Sequence, residues 1–179
     1  MKKLNELIQI ELYDILYFIF YHLPGYYLSN KLRGWFMGFY LKEHGNKFLL
    51  NKEVIIESPQ NIYIGNDVRI NARCWISGGG GLTIEDNVLI GPLVIIHTAN
   101  HMFEDTNTSI SSQGHIKKPV VIKKNSWIGA SSIILPGTSI GENCIIGAGS
   151  VVTKDTDSFS VYAGNPAKKI RSLKVPNNV

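Results

Sequence analysis

The sequence predicts an all-β main domain built as a parallel solenoid of three-sided coils, with a helical segment ahead of it and a loop projecting from it near residues 97–118. Three observations lead there. Large aliphatic residues recur every six positions over most of the chain, and small or turn-forming residues hold fixed places between them. The aromatic residues are segregated at one end: of 18, 12 lie in residues 1–48, whereas 19 of the 24 isoleucines lie between Ile55 and Ile146. Across 179 residues, 44% apolar and 18% charged types suffice to bury a real core and exclude a disordered chain.

Taken in chain order, residues 1–45 form the aromatic-rich segment. Residues 3–22 and 27–42 read as two helices separated by Leu23-Pro24-Gly25. Leu4, Ile8, Leu12, Ile15 and Ile19 recur at helical spacing in the first, and Leu28, Leu32, Trp35, Phe36 and Phe39 in the second. Glu6, Glu11 and Asp14 interrupt the apolar stretch and no small-residue cleavage site follows, which argues against a signal peptide. Two readings stand side by side and can both hold. The helices cap the end of the solenoid, or residues 1–42 meet a membrane surface, since tyrosine and tryptophan favour the bilayer boundary.

The main domain occupies residues 46–160, with 161–179 as a C-terminal tail. The six-residue register runs Ile64, Ile70, Ile76, then after an eight-residue step Ile84, Ile90, Ile96. It resumes at Ile122, Ile128, Ile134, Ile140, Ile146 and Val152. A strand has period two and a helix 3.6, and neither yields aliphatics at every sixth place. Three six-residue units closing one triangular coil do, each unit giving a short strand and a corner. Glycine often follows the aliphatic (Gly65, Gly91, Gly129, Gly141, Gly147), where we expect it to serve corners of positive φ. The position four after the aliphatic is small or branched (Val68, Val88, Ser126, Ser132, Thr138) and also holds Cys74 and Cys144, which therefore read as packing thiols.

The register breaks at two places. Ser77-Gly78-Gly79-Gly80-Gly81 adds two residues, read as a bulge that widens a groove. His97 to Lys118 adds many more, including three of the five histidines: His97, His101 and His115. Loops on rigid scaffolds are where chemistry concentrates. Imidazole suits a general base, its unperturbed pKa of about 6.5 leaving it neutral yet basic near pH 7.

Residues 61–172 resemble the hexapeptide-repeat acyltransferases, whose fold is a left-handed parallel β-helix. The likeness is densest in Pro119–Ala130, in Ile146-Gly-Ala-Gly-Ser-Val-Val-Thr-Lys-Asp and in Ala163-Gly-Asn-Pro-Ala-Lys-Lys-Ile-Arg. It is similar to the maltose and galactoside O-acetyltransferases, and more so to relatives acting on capsular and O-antigen polysaccharides. The resemblance implies an acetyl-CoA donor, a sugar or glycan acceptor, no required metal, and a homotrimer whose grooves lie between subunits. Thr98-Ala-Asn-His101 matches the family's Thr-x-x-His, making His101 the catalytic base. Asn71 and Trp127 fall on acceptor- and acetyl-side positions, and Trp127, Ala130, Ala148, Thr153, Lys154, Lys168 and Arg171 on coenzyme A positions. The family's acceptor carboxylate falls on Gly79, a departure that separates this chain from simple maltose or galactoside enzymes.

Alternatives remain open at this point. An amino-sugar N-acetyltransferase fits the same residues. Zinc as in the carbonic anhydrases of this fold would need three histidine ligands, and the spacing of His97 and His101 does not look like that enzyme's pattern. A net charge of +4 is too mild for a nucleic-acid binder but suits a ligand bearing phosphates. Two isolated cysteines and the lack of any ~20-residue apolar span point to the cytoplasm, with peripheral membrane contact at most.

Overall fold

The computed structural model describes residues 15–174, and the proposed start of the first helix lies outside them. Residues 15–22 are helical (α1) and Tyr27–Gly38 form α2. The second helix is shorter than the apolar spacing predicts. The Lys42 amide bonds Ile62 O at 3.0 Å, so residues 39–42 already turn into the first coil.

The solenoid then runs in about six coils. Successive coils contain β1 (Glu43–His44), β2 (Leu49–Leu50) and β3 (Ile55–Glu57); β4 (Ile62–Ile64), β5 (Arg69–Ile70) and β6 (Trp75–Ser77); and β7 (Leu82–Ile84), β8 (Leu89–Ile90) and β9 (Ile95–Ile96). A projecting arm carries β10 (Ala99–His101), α3 (Ile110–Gln113) and β11 (His115–Lys117). The stack resumes with β12 (Val120–Ile122), β13 (Trp127–Ile128) and β14 (Ile133–Ile134), then β15 (Ser139–Ile140), β16 (Ile145–Ile146) and β17 (Val151–Val152). It closes with β18 (Ser160–Ala163) and β19 (Lys168–Ser172). Strands β1, β4, β7, β12 and β15 form face 1. Face 2 holds β2, β5, β8, β13, β16 and β18 with β19 beside it, and face 3 holds β3, β6, β9, β14 and β17. Pairing along the stack is parallel, with β18–β19 antiparallel at its end.

All twelve register aliphatics point into the stack and are 2% exposed or less. They form one continuous core, each such side chain contributing about 1.5–3 kcal/mol on burial. The small position four residues on also faces inward and ties one coil to the next: Ser126 Oγ donates to Gly141 O at 2.8 Å, Ser132 Oγ to Gly147 O at 3.0 Å, and Cys74 Sγ to Gly91 O at 3.1 Å.

The repeated glycines correct the sequence expectation. Positive φ falls two residues after each glycine position, on Asp67, Asn87, Leu93, Asn125, Ser131 and Asn143, and not on Gly65, Gly91, Gly129 or Gly147. Those glycines serve stacking. A Cβ on Gly129 would lie 2.6 Å from Ala148 N and from Ile146 O, closer than the next coil allows.

The helical segment covers the first coil. Helix α2 lies on β2, and Gly34 passes so close to Phe48 O that a side chain there has no room. Phe20 stacks on Phe36 with ring centroids 4.5 Å apart, and Tyr17 donates to Val54 O at 2.9 Å. Arg33, only 3% exposed, donates to Phe20 O at 2.7 Å, Pro24 O at 3.1 Å and Leu23 O, and so satisfies carbonyls at the end of α1.

Candidate functional site

Every departure from the six-residue register accumulates at the corner leading from face 3 to face 1. Ile64 pairs with Ile84, twenty residues on, while Ile122 pairs with Ile140, only eighteen on. The surplus forms the short 3₁₀ turn Pro59–Asn61 in one coil, the glycine turn in the next, and the arm in the third.

The glycine turn, read from the sequence as a bulge, borders a groove through Ser77 and is tightly packed at Gly78 and Gly80. It is compressed between neighbours: a Cβ on Gly78 would lie 2.6 Å from Ser58 O, and one on Gly80 would lie 2.9 Å from Lys118 N. Thr98 locks this layer. Fully buried, its Oγ1 donates to Ser77 O and accepts from Gly80 N, both at 2.8 Å. Thr98 O also accepts the Lys118 amide at 2.9 Å, closing the root of the arm.

From that root, β10 and β11 pair antiparallel and set His101 directly opposite His115, with ring centroids 4.2 Å apart. His101 is exposed and borders two grooves. One, of about 320 Å³, is lined by Glu57, Ser77, His97, Asn100 and His115 as well as His101. The second, of about 330 Å³, joins His101 to Phe103, Ile116, Lys118 and Thr153. His97 packs near Trp75, whose ring centroid is 5.7 Å away. An imidazole between two clefts of this size can accept a proton from a group held in one and act on a group held in the other. Among the described residues, no three His, Cys, Asp or Glu side chains gather as a metal site.

The remaining sequence candidates are distributed differently. Thr153 joins the second groove, and Lys154 follows it exposed. Ala130 and Ala148 lie on another corner, from face 2 to face 3, in the column of close-packed glycines; Gly149 N bonds Ala130 O at 2.8 Å. Asn71 heads the same corner and donates through Nδ2 to Ile90 O at 2.8 Å, so its amide supports the coil. Trp127 stands outward on face 2, 49% exposed between Leu89 and Ile145. One chain therefore does not bring Trp127, Asn71 and His101 into a common cleft. The alternation that sends Ile128 inward sends Trp127 out from a face that lacks the arm.

Lys168 and Arg171 are exposed on β19 and, among the described residues, form no ion pair, whereas neighbouring Lys169 is held by Asp157 at 2.9 Å. Burial raises both thiols, Cys74 to about 11, which removes them as nucleophiles near neutral pH. Sequence reasoning missed Glu57, Asn100 and Lys118 as groove residues. Trp75 was legible, because it precedes Ile76 as Trp127 precedes Ile128.

Comparison with known proteins agrees with this fold. Residues 119–154 match the family model described as bacterial transferase hexapeptide (six repeats). A Saccharomyces cerevisiae protein, itself only provisionally assigned as an acetyltransferase, is 38% identical over 128 residues, covering 72% of this chain and 64% of its own length. The chain thus spans a little under two thirds of that curated relative. A hexapeptide-repeat acetyltransferase from Vibrio cholerae, solved with acetyl-CoA, superposes with a TM-score of 0.80 at 30% identity, covering 91% of this chain and 86% of that one. A galactoside acetyltransferase solved with coenzyme A also gives 0.80, at 31% identity, over 90% and 79% of the two chains. With its stacked parallel coils, its inward aliphatic register and these relatives, the chain belongs to the hexapeptide-repeat acetyltransferase family.

Proposed function

We propose that this protein is an acetyl-CoA-dependent O-acetyltransferase that acetylates a sugar hydroxyl of a bacterial surface polysaccharide or its precursor, with His101 as general base. The observation that carries the reading is the position of His101 between two grooves on a hairpin rooted in the buried Thr98. In this mechanism the acceptor hydroxyl occupies the groove bordered by Glu57 and Asn100, and the thioester approaches through the groove bordered by Thr153. His101 takes the hydroxyl proton as oxygen attacks the carbonyl carbon. The new C–O bond forms, the C–S bond breaks, and the proton passes from imidazolium to the departing sulfur. Glu57 and Asn100 offer hydrogen bonds to neighbouring hydroxyls of the sugar, a role for which Gly79 has no side chain.

A homotrimer is part of the same reading, and the distribution of surfaces supports it. Outward positions on face 3 are Ile55, Trp75, Ile95, Ile133 and Val151, and those on face 2 include Leu89, Trp127, Ile145 and Val161. Face 1 is more polar, with Glu43, Tyr63, Thr83 and Ser139. Packing face 3 of one chain near face 2 of the next would bury both apolar stripes. It would also bring Trp127, Ala130 and Ala148 of one subunit toward His101 of its neighbour. Lys168 and Arg171, unpaired among the described residues, supply positive charge for the phosphates of coenzyme A. We place the enzyme in the cytoplasm, where acetyl-CoA and sugar precursors meet.

The test is coenzyme A release from acetyl-CoA in the presence of a panel of hexoses, amino sugars and nucleotide-linked sugars. Release with a hydroxyl acceptor, lowered roughly 10²–10⁴-fold in His101→Ala, is the expected result. Transfer only to amines would move the assignment to N-acetylation, and full activity of His101→Ala would remove its assigned role.

A further inference from the structure

The helical segment has an outer side that its capping of the first coil does not explain. On α2, Arg33, Phe36 and Met37 face the solenoid and are buried, while Leu28, Leu32 and Trp35, with Phe39 at the C-cap continuing the same stripe, are 67%, 40%, 58% and 67% exposed. On α1, Phe18 and Ile19 are exposed at 64% and 50%. Capping needs only the inner side, so solvation of the outer one carries a hydrophobic cost without a structural return.

A second feature adjoins that stripe. Between α2 and the first coil lies a cavity of about 170 Å³, whose lining includes Lys31, Trp35, His44, Asn46 and Lys47. Its lining holds two lysines and no carboxylate; Asp67 approaches Lys47 from outside, at 3.3 Å. The helical segment beside it is also free of acids. Residues 15–42 contain Lys31, Arg33 and Lys42 and no aspartate or glutamate, with Glu43 the first acid beyond them. Trp35 belongs to both the stripe and the cavity.

We propose that this end of the molecule docks on an anionic bilayer surface. The stripe on α2 enters the boundary between headgroups and acyl chains, and the Lys31–Lys47 cavity receives a lipid phosphate. The chemistry is that of an interfacial amphipathic helix: apolar and aromatic side chains supply depth, and lysines at headgroup level supply preference for negative lipid. No helix among the described residues is long and apolar enough to cross a membrane, so the contact is peripheral. The inference is independent of the acetyl-transfer reading, and either can fail without the other.

Flotation of the full-length protein with vesicles provides the test, using phosphatidylcholine alone and phosphatidylcholine with 30% phosphatidylglycerol. The expected result is binding to the anionic vesicles that weakens with salt. Lys31→Glu with Lys47→Gln should reduce it by roughly fivefold or more per charge removed. Trp35→Ser with Phe39→Ser should abolish binding to the anionic vesicles. All four positions are exposed and outside the acetyl-transfer residues, so circular dichroism and thermal melting should remain native. Absence of flotation at low salt would overturn the proposal. So would native-like flotation of the Trp35/Phe39 variant. Light scattering separates the competing occupant: if the intact protein forms larger assemblies that the same variant reduces, without any lipid binding, the stripe joins copies of this chain instead.

Discussion

Thr98→Val tests the idea that a buried hydroxyl, well away from any transferred atom, holds the reacting arm in place. Valine keeps the branched shape and nearly the volume of threonine. What it removes is the Oγ1 bridge, with its 2.8 Å bonds to Ser77 O and Gly80 N. Both backbone groups lie inside the corner, and neither gains a replacement from valine. An unsatisfied buried group costs roughly 1–3 kcal/mol, so the pair should cost about 2–6 kcal/mol, the lower part of the range applying if water reaches Gly80. Thr98→Ser is the necessary comparison. It keeps both bonds and loses one methyl, a loss of about 1 kcal/mol. Urea unfolding should therefore rank native above serine above valine, although valine retains more apolar volume. Because Thr98 also roots the hairpin that carries His101, the valine variant should lose kcat with little change in coenzyme A affinity. If valine proves as stable as native and serine the weaker variant, Thr98 acts by packing alone and the locking argument fails.

Three further outcomes are expected. Gly129→Ala should destabilise by about 1–3 kcal/mol in thermal or urea melts, since its Cβ would meet backbone of the next coil at 2.6 Å. Gly91→Ala should behave alike, its Cβ meeting Ala130 N at 2.7 Å, and neutral substitutions at both would refute the stacking role. Cys74 and Cys144 should resist a colorimetric thiol reagent at pH 8 in the folded protein and react fully in denaturant. With the Cys74 pKa raised to about 11, only about one molecule in a thousand carries that thiolate at pH 8. Glu57→Gln should raise KM for the sugar acceptor several-fold while leaving KM for acetyl-CoA unchanged, as two-substrate kinetics would reveal. Equal changes in both constants would show that Glu57 acts on the fold of the groove and not on the acceptor.

The solenoid was legible because its core is a one-dimensional lattice. Each register residue from Ile64 to Val152 makes the same inward contact, so twelve positions repeat one physical requirement. The corners were only half legible. Glycine after the aliphatic suggested positive φ, yet the left-handed residues are Asp67, Asn87, Asn125 and even Leu93, and glycine answers to the distance between coils. That distance is a property of two segments about twenty residues apart, which a local reading does not contain. His101 stood out through its motif and its place in an interruption. Glu57 did not, since it follows a register residue in an earlier coil and reaches the groove only once the coils stack. Trp127 was visible as an exposed aromatic, but the face it occupies depends on counting corners around the prism.

The same counting explains why the insertions and the grooves they border gather at one corner. A coil grows longer only where the added residues can leave the prism, because an extra residue inside a strand would reverse the inward and outward sides of all that follow. Here the 3₁₀ turn, the glycine turn and the arm all leave from the corner between faces 3 and 1; the next coil returns to eighteen residues, and the last pairing, Ile146 with Tyr162, spans only sixteen. Each insertion lies above the previous one, so the glycine turn becomes the floor under the root of the arm, with Thr98 as the joint. The arm is held from below by packed backbone and projects beyond the narrow stack, leaving the grooves on either side of His101 open to ligands. A rigid register interrupted at one repeated place thus produces a hairpin with a fixed root, an exposed tip and His101 between two grooves. Moving the same insertion to the corner between faces 2 and 3 would set it against the Gly91, Gly129 and Gly147 column, where the coils approach too closely to admit even a Cβ.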